Sequence, residues 1–186
     1  MKRIHLAALL GATLQAQSLG ITLGASHAGF QTIEGMTARP STAVAAALSY
    51  RTHGITLAAT VRSADRTRIV NQGESTADTY RWSYAGARLS CALPLGFDLG
   101  VEARREALEA VNALDGTTVT GRQTRTWARL AWEYEVKGRT SSSAFGLAAC
   151  AAKRMSYDPA ATYAPAEALR VYAPNTEFQA FVTVRF

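Results

Sequence analysis

The last ten residues of the chain read EFQAFVTVRF (residues 177–186), and their polarity alternates with a period of two. One face of this stretch carries Phe178, Ala180, Val182, Val184 and Phe186. The other face carries Gln179, Thr183 and Arg185, with Phe181 as an apolar exception. Successive side chains of a strand point to opposite faces, so the pattern predicts a β-strand with one apolar and one polar face. Such a strand suits lipid on one side and a packed polar interior on the other.

The opposite end of the chain has the pattern of a secretory signal peptide. Lys2 and Arg3 form a short basic start, and the apolar run over residues 6–14 is too short to cross a bilayer as a helix. Small residues follow, and cleavage after Ala16 and cleavage after Ser18 both fit the pattern. The sequence therefore predicts a cleaved signal peptide over residues 1–18 and a single domain over residues 19–186.

Eight segments of the chain alternate in the way that the last ten residues do. They lie at about residues 19–30, 43–52, 55–62, 79–93, 97–106, 125–136, 145–151 and 177–186. In the fourth segment the apolar side chains change face near Gly86, which predicts a β-bulge at that residue. Residues 104–114 are rich in helix formers, so strand, helix and loop all stay open for them.

The connections between these segments are alternately long and short. The short ones lie near residues 53–54, 94–96 and 137–142, and the long ones at about 31–42, 64–78, 109–123 and 155–176. Tight turns at one end and longer loops at the other are typical of transmembrane β-barrels. The sequence thus predicts an all-β fold, a closed antiparallel up-and-down transmembrane barrel of eight strands.

These features together resemble the small eight-stranded outer-membrane barrels, the group that contains OmpX and the transmembrane domain of OmpA. The resemblance rests on the strand rhythm and on the final strand with its terminal Phe186. It implies a monomer in the outer membrane of a Gram-negative-type bacterium, with both chain ends in the periplasm. It also implies that the barrel assembly machinery recognises the final strand through Phe178, Ala180, Val182, Val184 and Phe186.

The composition agrees with a barrel and argues against other classes. The mean hydropathy is −0.03, as expected when lipid-facing and lumen-facing residues alternate. The formal net charge is +6, and Lys2 and Arg3 of the predicted signal peptide supply two of these positive charges; the mild excess that remains favours contact with phosphate-rich lipopolysaccharide. No basic run or recognition motif indicates nucleic-acid binding. Cys91 and Cys150 fit no metal-site spacing, and whether they form a disulfide stays open. We expect no cofactor and no metal.

Two sets of residues are candidates for structural roles inside and around the barrel. An eight-stranded barrel is filled by side chains, and buried charges need partners, so we expect a lumen charge network. Its predicted members are Arg62, Arg81, Glu102, Arg104, Glu106, Arg125, Arg129, Glu133, Glu135 and Arg185. The second set is an outward-facing aromatic girdle at the membrane interface. Its predicted members are Tyr50, Tyr80, Trp82, Tyr84, Trp132 and Tyr134.

The sequence favours a non-enzymatic protein with a structural or surface-interaction role. Loops on a rigid scaffold often bind ligands, and the longest loop offers Tyr157, Tyr163 and Tyr172 for such contacts. A small porin-like pore is the alternative. A lipid A-modifying enzyme is a third hypothesis, and it rests on His27, which lacks a serine or an acidic partner close by on its face.

Overall fold

A computed structural model describes residues 17–29, 36–38, 40–71, 77–153 and 173–186. Residues 1–16 of the predicted signal peptide and the loop residues Tyr157, Tyr163 and Tyr172 lie outside these ranges. The described strands are β1 Ser18–Gly29, β2 Met36–Ala38, β3 Ser41–Thr52, β4 Ile55–Asn71, β5 Ala77–Ala92, β6 Phe97–Val111, β7 Thr118–Lys137, β8 Ser142–Ala152 and β9 Thr176–Arg185. No helix among the described residues is long and apolar enough to cross a membrane.

Eight of these strands close into an antiparallel barrel, and the short β2 pairs with β4 at its rim. Going round the barrel, β4 pairs with β3, β3 with β1, β1 with β9, and β9 with β8. The ring continues through β7, β6 and β5, and the pairing of β5 with β4 closes it. The predicted eight-stranded, closed, all-antiparallel fold is therefore confirmed.

The two faces of the barrel have opposite chemistry. Large apolar side chains point outward on the barrel strands and are exposed, as Leu23, Leu57 and Leu147 show with 58%, 54% and 61% of their surface accessible. The inward positions of the same strands carry small and charged side chains, most of which are buried. This is the reverse of a water-soluble core, and it is the arrangement that lipid around a barrel requires.

The tight turns, the start of β1 and Phe186 lie at one end of the barrel, which we call the tight-turn end. His53 and Gly54 make the first turn with φ of 49° and 78°, and Leu95 and Gly96 make the second with 63° and 81°. The third turn is residues 138–141, where the Gly138 N–H donates to the Ser141 carbonyl. Leu19 and Phe186 exchange two backbone hydrogen bonds beside these turns. The opposite end, where β4 meets β5 and β6 meets β7, is the loop end.

Two hairpins at the loop end are longer than the sequence predicts. Residues 64–71 continue β4, and residues 65–70 of them pair with β5, so the predicted long connection at 64–78 is wrong for these residues. Residues 104–111 likewise pair with 118–125 as strands, and the connection predicted at 109–123 shrinks to residues 112–117. Pairing on both edges of β6 overrides the helix propensity of this segment, because tertiary context outweighs propensity.

The predicted bulge at Gly86 is also wrong. The register of β5 with β6 runs without interruption past Gly86, and the irregularity lies instead in β4 between Arg62 and Asp65. Gly86 points inward, where an added Cβ would lie 2.7 Å from the Ala103 carbonyl oxygen and 2.9 Å from Thr60 Oγ1. Glycine is therefore needed here for a close approach inside the lumen, not for a change of face.

Candidate functional site: the lumen

A buried carboxylate, Glu177 on β9, holds the centre of the lumen together. Arg104 Nη1 donates to Glu177 Oε2 at 2.6 Å, and Arg62 Nε lies 3.7 Å from Glu177 Oε1. The Ser26 hydroxyl also donates to this carboxylate, and Tyr84 Oη lies 3.4 Å from both of its oxygens. The side chains of Glu177, Arg104 and Arg62 are fully buried, so each charge depends on these partners.

A second buried carboxylate extends this centre toward the tight-turn end. Glu102 Oε2 accepts a hydrogen bond from Arg104 Nη2 at 3.1 Å, and Glu102 Oε1 accepts one from the Thr60 hydroxyl at 2.5 Å. Arg62 in turn donates to the Trp82 carbonyl and to the Ser41 side chain. The centre therefore pairs two arginines with two glutamates and links strands on opposite sides of the barrel.

Glu106 organises the loop end of the lumen. Its carboxylate accepts hydrogen bonds from Arg125 Nε, from Trp127 Nε1 at 2.8 Å and from Gln123 Nε2 at 2.6 Å. Arg125 Nη2 donates to the Pro174 carbonyl at 2.5 Å. Residues 173–175 thus belong to the packed barrel rather than to the free loop predicted at 155–176, and Ala173 and Pro174 are buried.

Aromatic rings fill the space between these charges. The Arg104 guanidinium lies 4.0 Å from the Tyr84 ring centroid and 4.3 Å from that of Trp127. The Arg62 guanidinium lies 4.6 Å from the Trp82 ring centroid, and the Trp82 and Tyr84 rings are 5.3 Å apart. Stacking of this kind stabilises a guanidinium that has lost its water.

The prediction that Tyr80, Trp82 and Tyr84 belong to the outward girdle is therefore wrong. Their exposures are 0%, 0% and 5%, and all three point into the lumen. Arg81, between them, was predicted in the lumen and instead lies on the outer face, where Nη1 contacts Glu109 Oε1 at 3.1 Å. Both errors have one cause, the change of face assigned at Gly86, because β5 keeps one parity over its whole length.

The tight-turn end of the lumen holds the remaining charges around a cavity of about 510 Å³. Arg129 pairs with Asp98 at 3.1 Å, and Arg185 contacts both Glu133 and Glu135. Arg51 and Arg88 also line the cavity, and in both side chains Nε is buried with no hydrogen-bond partner among the described residues. Deeper in the barrel the free space shrinks to about 20 Å³, roughly the room for one water molecule.

Sequence reasoning missed the central residue of this network. Nine of its predicted members line the lumen, Arg62, Glu102, Arg104, Glu106, Arg125, Arg129, Glu133, Glu135 and Arg185. Glu177, which bonds to Arg104, was not among them. The sequence did indicate that Glu177 faces the lumen, because it lies an even number of residues from Gln179, Thr183 and Arg185 and therefore on the same face of the final strand.

The other predicted site residues lie on the outer surface. Tyr50, Trp132 and Tyr134 point outward near the tight-turn end, and Trp132 is opposite Phe97 on β6. The final strand presents Phe178, Ala180, Val182, Val184 and Phe186 outward, with Phe178 and Phe186 61% and 65% exposed. These positions are free of lumen contacts and face what surrounds the barrel.

The remaining candidates for chemistry are isolated. His27 is exposed, and its Nδ1 lies 2.9 Å from Thr42 Oγ1, while the neighbouring Ser26 points inward to Glu177. Cys91 faces outward and Cys150 faces the lumen, and both are free thiols. No group of three or more His, Cys, Asp or Glu residues in the described part of the chain is placed to hold a metal ion.

The arrangement of charges makes the lumen a closed, cross-linked core rather than an open path. The described carboxylates that line it are all in ion pairs, and the aromatic rings occupy the space between the pairs. An eight-stranded barrel has an interior just wide enough for side chains to fill. The chemistry available to this site is thus mutual stabilisation of charges across the barrel.

Comparisons with known proteins find similarity to solved outer-membrane proteins. No protein-family model and no curated protein sequence matches the chain. Among solved structures, Neisserial surface protein A (NspA) aligns with a TM-score of 0.45 and 14% identity over 92% of this chain and 98% of that one. The outer membrane protein OprG from Pseudomonas aeruginosa aligns with a TM-score of 0.50 and 7% identity over 92% and 97%. The chain has the closed, eight-stranded antiparallel fold of outer-membrane β-barrels.

Proposed function

We propose that this protein is a non-enzymatic outer-membrane barrel that serves as a rigid support for surface loops. The observation that carries the proposal is the inverted barrel, apolar outside and cross-linked by buried ion pairs inside. Residues such as Leu57 and Leu147 would be costly to leave in water, so the outer face needs lipid. The closed lumen leaves the loops as the region available for interaction with other molecules.

The proposed orientation has both chain ends and the tight turns in the periplasm, and the loop end outside the cell. Outer-membrane barrels have short periplasmic turns and longer extracellular loops, and the two ends of this barrel differ in that way. The partners that follow from this orientation are outer-membrane lipid and lipopolysaccharide around the strands, and the barrel assembly machinery on β9. A surface ligand would contact the loops, with Tyr157, Tyr163 and Tyr172 as candidate contacts, and the protein would act as a monomer.

Epitope insertion tests this orientation directly. A tag inserted between Asp115 and Gly116 lies in the 112–117 turn at the loop end, and a matched tag between Arg139 and Thr140 lies at the tight-turn end. We expect antibody to bind the first tag on intact cells and the second only after the outer membrane is permeabilised. If antibody labels only the second tag on intact cells, the orientation is the reverse of the one proposed. If it labels neither tag after permeabilisation, the result argues against residence in the outer membrane.

The two alternative functions make different demands on the structure. A pore needs a continuous path, whereas the described lumen narrows to a void of about 20 Å³. A lipid-modifying enzyme needs an activated nucleophile. The His27 contact with Thr42 is the one feature that favours this hypothesis, and no carboxylate among the described residues hydrogen-bonds to the His27 ring. Loss of activity on lipid A in a His27→Ala variant would be needed to establish it.

A further inference from the structure

The outer face of the barrel changes from apolar to polar and basic side chains at the loop end of β6 and β7. On β6 the outward residues Leu99, Val101 and Ala103 are followed by Arg105. On β7 the outward residues Leu130 and Ala128 give way to threonines and then to Arg122. The end of the apolar run marks the depth at which the hydrocarbon of the bilayer ends, so Arg105 lies at the level of the lipid headgroups.

Four outward arginines cluster at this level on adjacent strands. Arg66 on β4 and Arg81 on β5 are directly opposite each other in the strand register. Arg105 pairs with Thr124, and Ala107 with Arg122, so Arg105 and Arg122 are diagonal neighbours. Near the loop end of β3, β1 and β9 the register places Thr42 opposite His27 and His27 opposite Phe178, so these outward positions carry no arginine.

Two described acids lie beside these arginines. The Glu109 carboxylate contacts Arg81, and the Asp65 carboxylate accepts a hydrogen bond from the Arg66 backbone N–H rather than from its guanidinium. The exposed side chains of Arg66, Arg105 and Arg122 form no ion pair with any described residue. Like charges on directly opposed strand positions repel each other, and Glu109 neutralises Arg81 alone, so the guanidinium groups of Arg66, Arg105 and Arg122 are free to bind an anion from outside the protein.

The chemistry of the cluster matches a phosphorylated lipid headgroup. Arginine binds phosphate through two parallel charge-assisted hydrogen bonds, and its long stem can lie along apolar surface while the guanidinium reaches the headgroup layer. The outward hydroxyls of Ser83, Thr120 and Thr124 lie between the arginines and can contact sugar oxygens. A phosphorylated glycolipid therefore offers the groups that this surface lacks.

We propose that Arg66, Arg81, Arg105 and Arg122 form a binding surface for the phosphates of lipopolysaccharide in the outer leaflet. The inference rests on the proposed outer-membrane location and orientation, and it deepens them by naming the lipid and the side of the barrel that binds it. One lipid A headgroup would bridge the like-charged strands β4 to β7 and replace the repulsion between them with attraction.

Native mass spectrometry of the folded protein in detergent micelles tests the proposal. The probes are diphosphorylated lipid A and the same glycolipid with its phosphates removed, and the variant is Arg105→Gln/Arg122→Gln. The matched control is Lys137→Gln/Arg139→Gln, which removes the same charge from exposed positions at the tight-turn end, on the opposite side of the membrane from the cluster. A boiling-dependent gel shift verifies that each protein is folded before binding is measured.

We expect the affinity of Arg105→Gln/Arg122→Gln for diphosphorylated lipid A to fall by about tenfold or more, and that of the control to stay within about twofold. Binding of the dephosphorylated lipid should be equal in all three proteins. Equal affinity of all three proteins for the phosphorylated lipid, or an equal loss in both variants, would overturn the proposal. Micelle binding does not depend on cellular location, so this result and the tag experiment can fail separately.

Discussion

Arg104 Nη1 and Glu177 Oε2 lie 2.6 Å apart in the middle of the lumen and join β6 to β9, although the two residues are 73 positions apart in the chain. Both side chains are fully buried. This bond connects the final strand to the interior of the barrel, so closure of the barrel and neutralisation of its buried charges occur together. It also shows why a chain with this many charges tolerates a lipid environment, because the charges face each other.

Replacing Glu177 with glutamine is expected to destabilise the barrel strongly. The change leaves Arg104 with Glu102 and leaves Arg62 with no carboxylate partner among the described residues, and breaking a buried ion pair costs about 3–5 kcal/mol. Urea unfolding in micelles measures the loss. Arg88→Gln is the matched control, because Arg88 makes no ion pair with a described residue, and we expect it to cost under about 1 kcal/mol. If both variants lose the same unfolding free energy, the ion pairs of Glu177 do not stabilise the fold.

Gly86 is expected to tolerate no side chain. A valine there would collide with the Ala103 carbonyl oxygen and with Thr60 Oγ1 inside the lumen. Gly86→Val should therefore abolish the fast-migrating, unboiled band on SDS gels after refolding. Ala87→Val adds similar volume at the adjacent outward position and should refold like the parent. Normal refolding of Gly86→Val would mean that the strands near Thr60 and Ala103 are further apart than described.

Phe186 is expected to matter for assembly in cells and little for stability. Its side chain is 65% exposed and faces outward, so Phe186→Ala removes no lumen contact. We expect Phe186→Ala to refold in micelles with near-parental stability but to reach the outer membrane in lower amounts. Phe145→Ala, at an outward position of β8 that is 54% exposed, is the control and should assemble normally. Equal assembly of both variants would argue against recognition of the terminal residue.

Cys91 and Cys150 are expected to remain unpaired after export. Cys91 faces outward on β5 and Cys150 faces the lumen on β8, so no disulfide geometry is available to them. Mass spectrometry of the alkylated, denatured protein without reductant should find both thiols modified. A mass lower by two hydrogens, with neither thiol modified, would show a disulfide and would contradict the register of β5 or β8.

The fold could be predicted from the sequence because alternation reports directly which face a strand residue occupies. The outward set of β9 and the inward set of β7 follow from parity alone. The inward position of Glu177 could have been predicted in the same way, since it lies two residues before Gln179 on the inward face. Its role as the centre of the network could not be predicted from the sequence, because that role depends on which strands face each other across the lumen.

The errors in β5 came from the change of face assigned at Gly86, which let the interfacial preference of aromatic residues decide the side of the strand before it. Tyr80, Trp82 and Tyr84 share the parity of Arg88 and Ser90, which fixes all of them inward once β5 is continuous. Aromatic residues were instead assigned to the membrane interface, where they are common. The true bulge, between Arg62 and Asp65, contains neither glycine nor proline, so no local signal marks it.

The central claim, a closed barrel held by a packed polar lumen and surrounded by lipid, is tested most directly by the gel mobility of the membrane-extracted protein in SDS, boiled and unboiled. Closed barrels resist detergent until heated, because every strand is paired on both edges. We predict that the unboiled protein migrates faster than the boiled protein and is found in the outer-membrane fraction. Identical mobility of the two samples, with the protein in the soluble periplasm, would contradict the account.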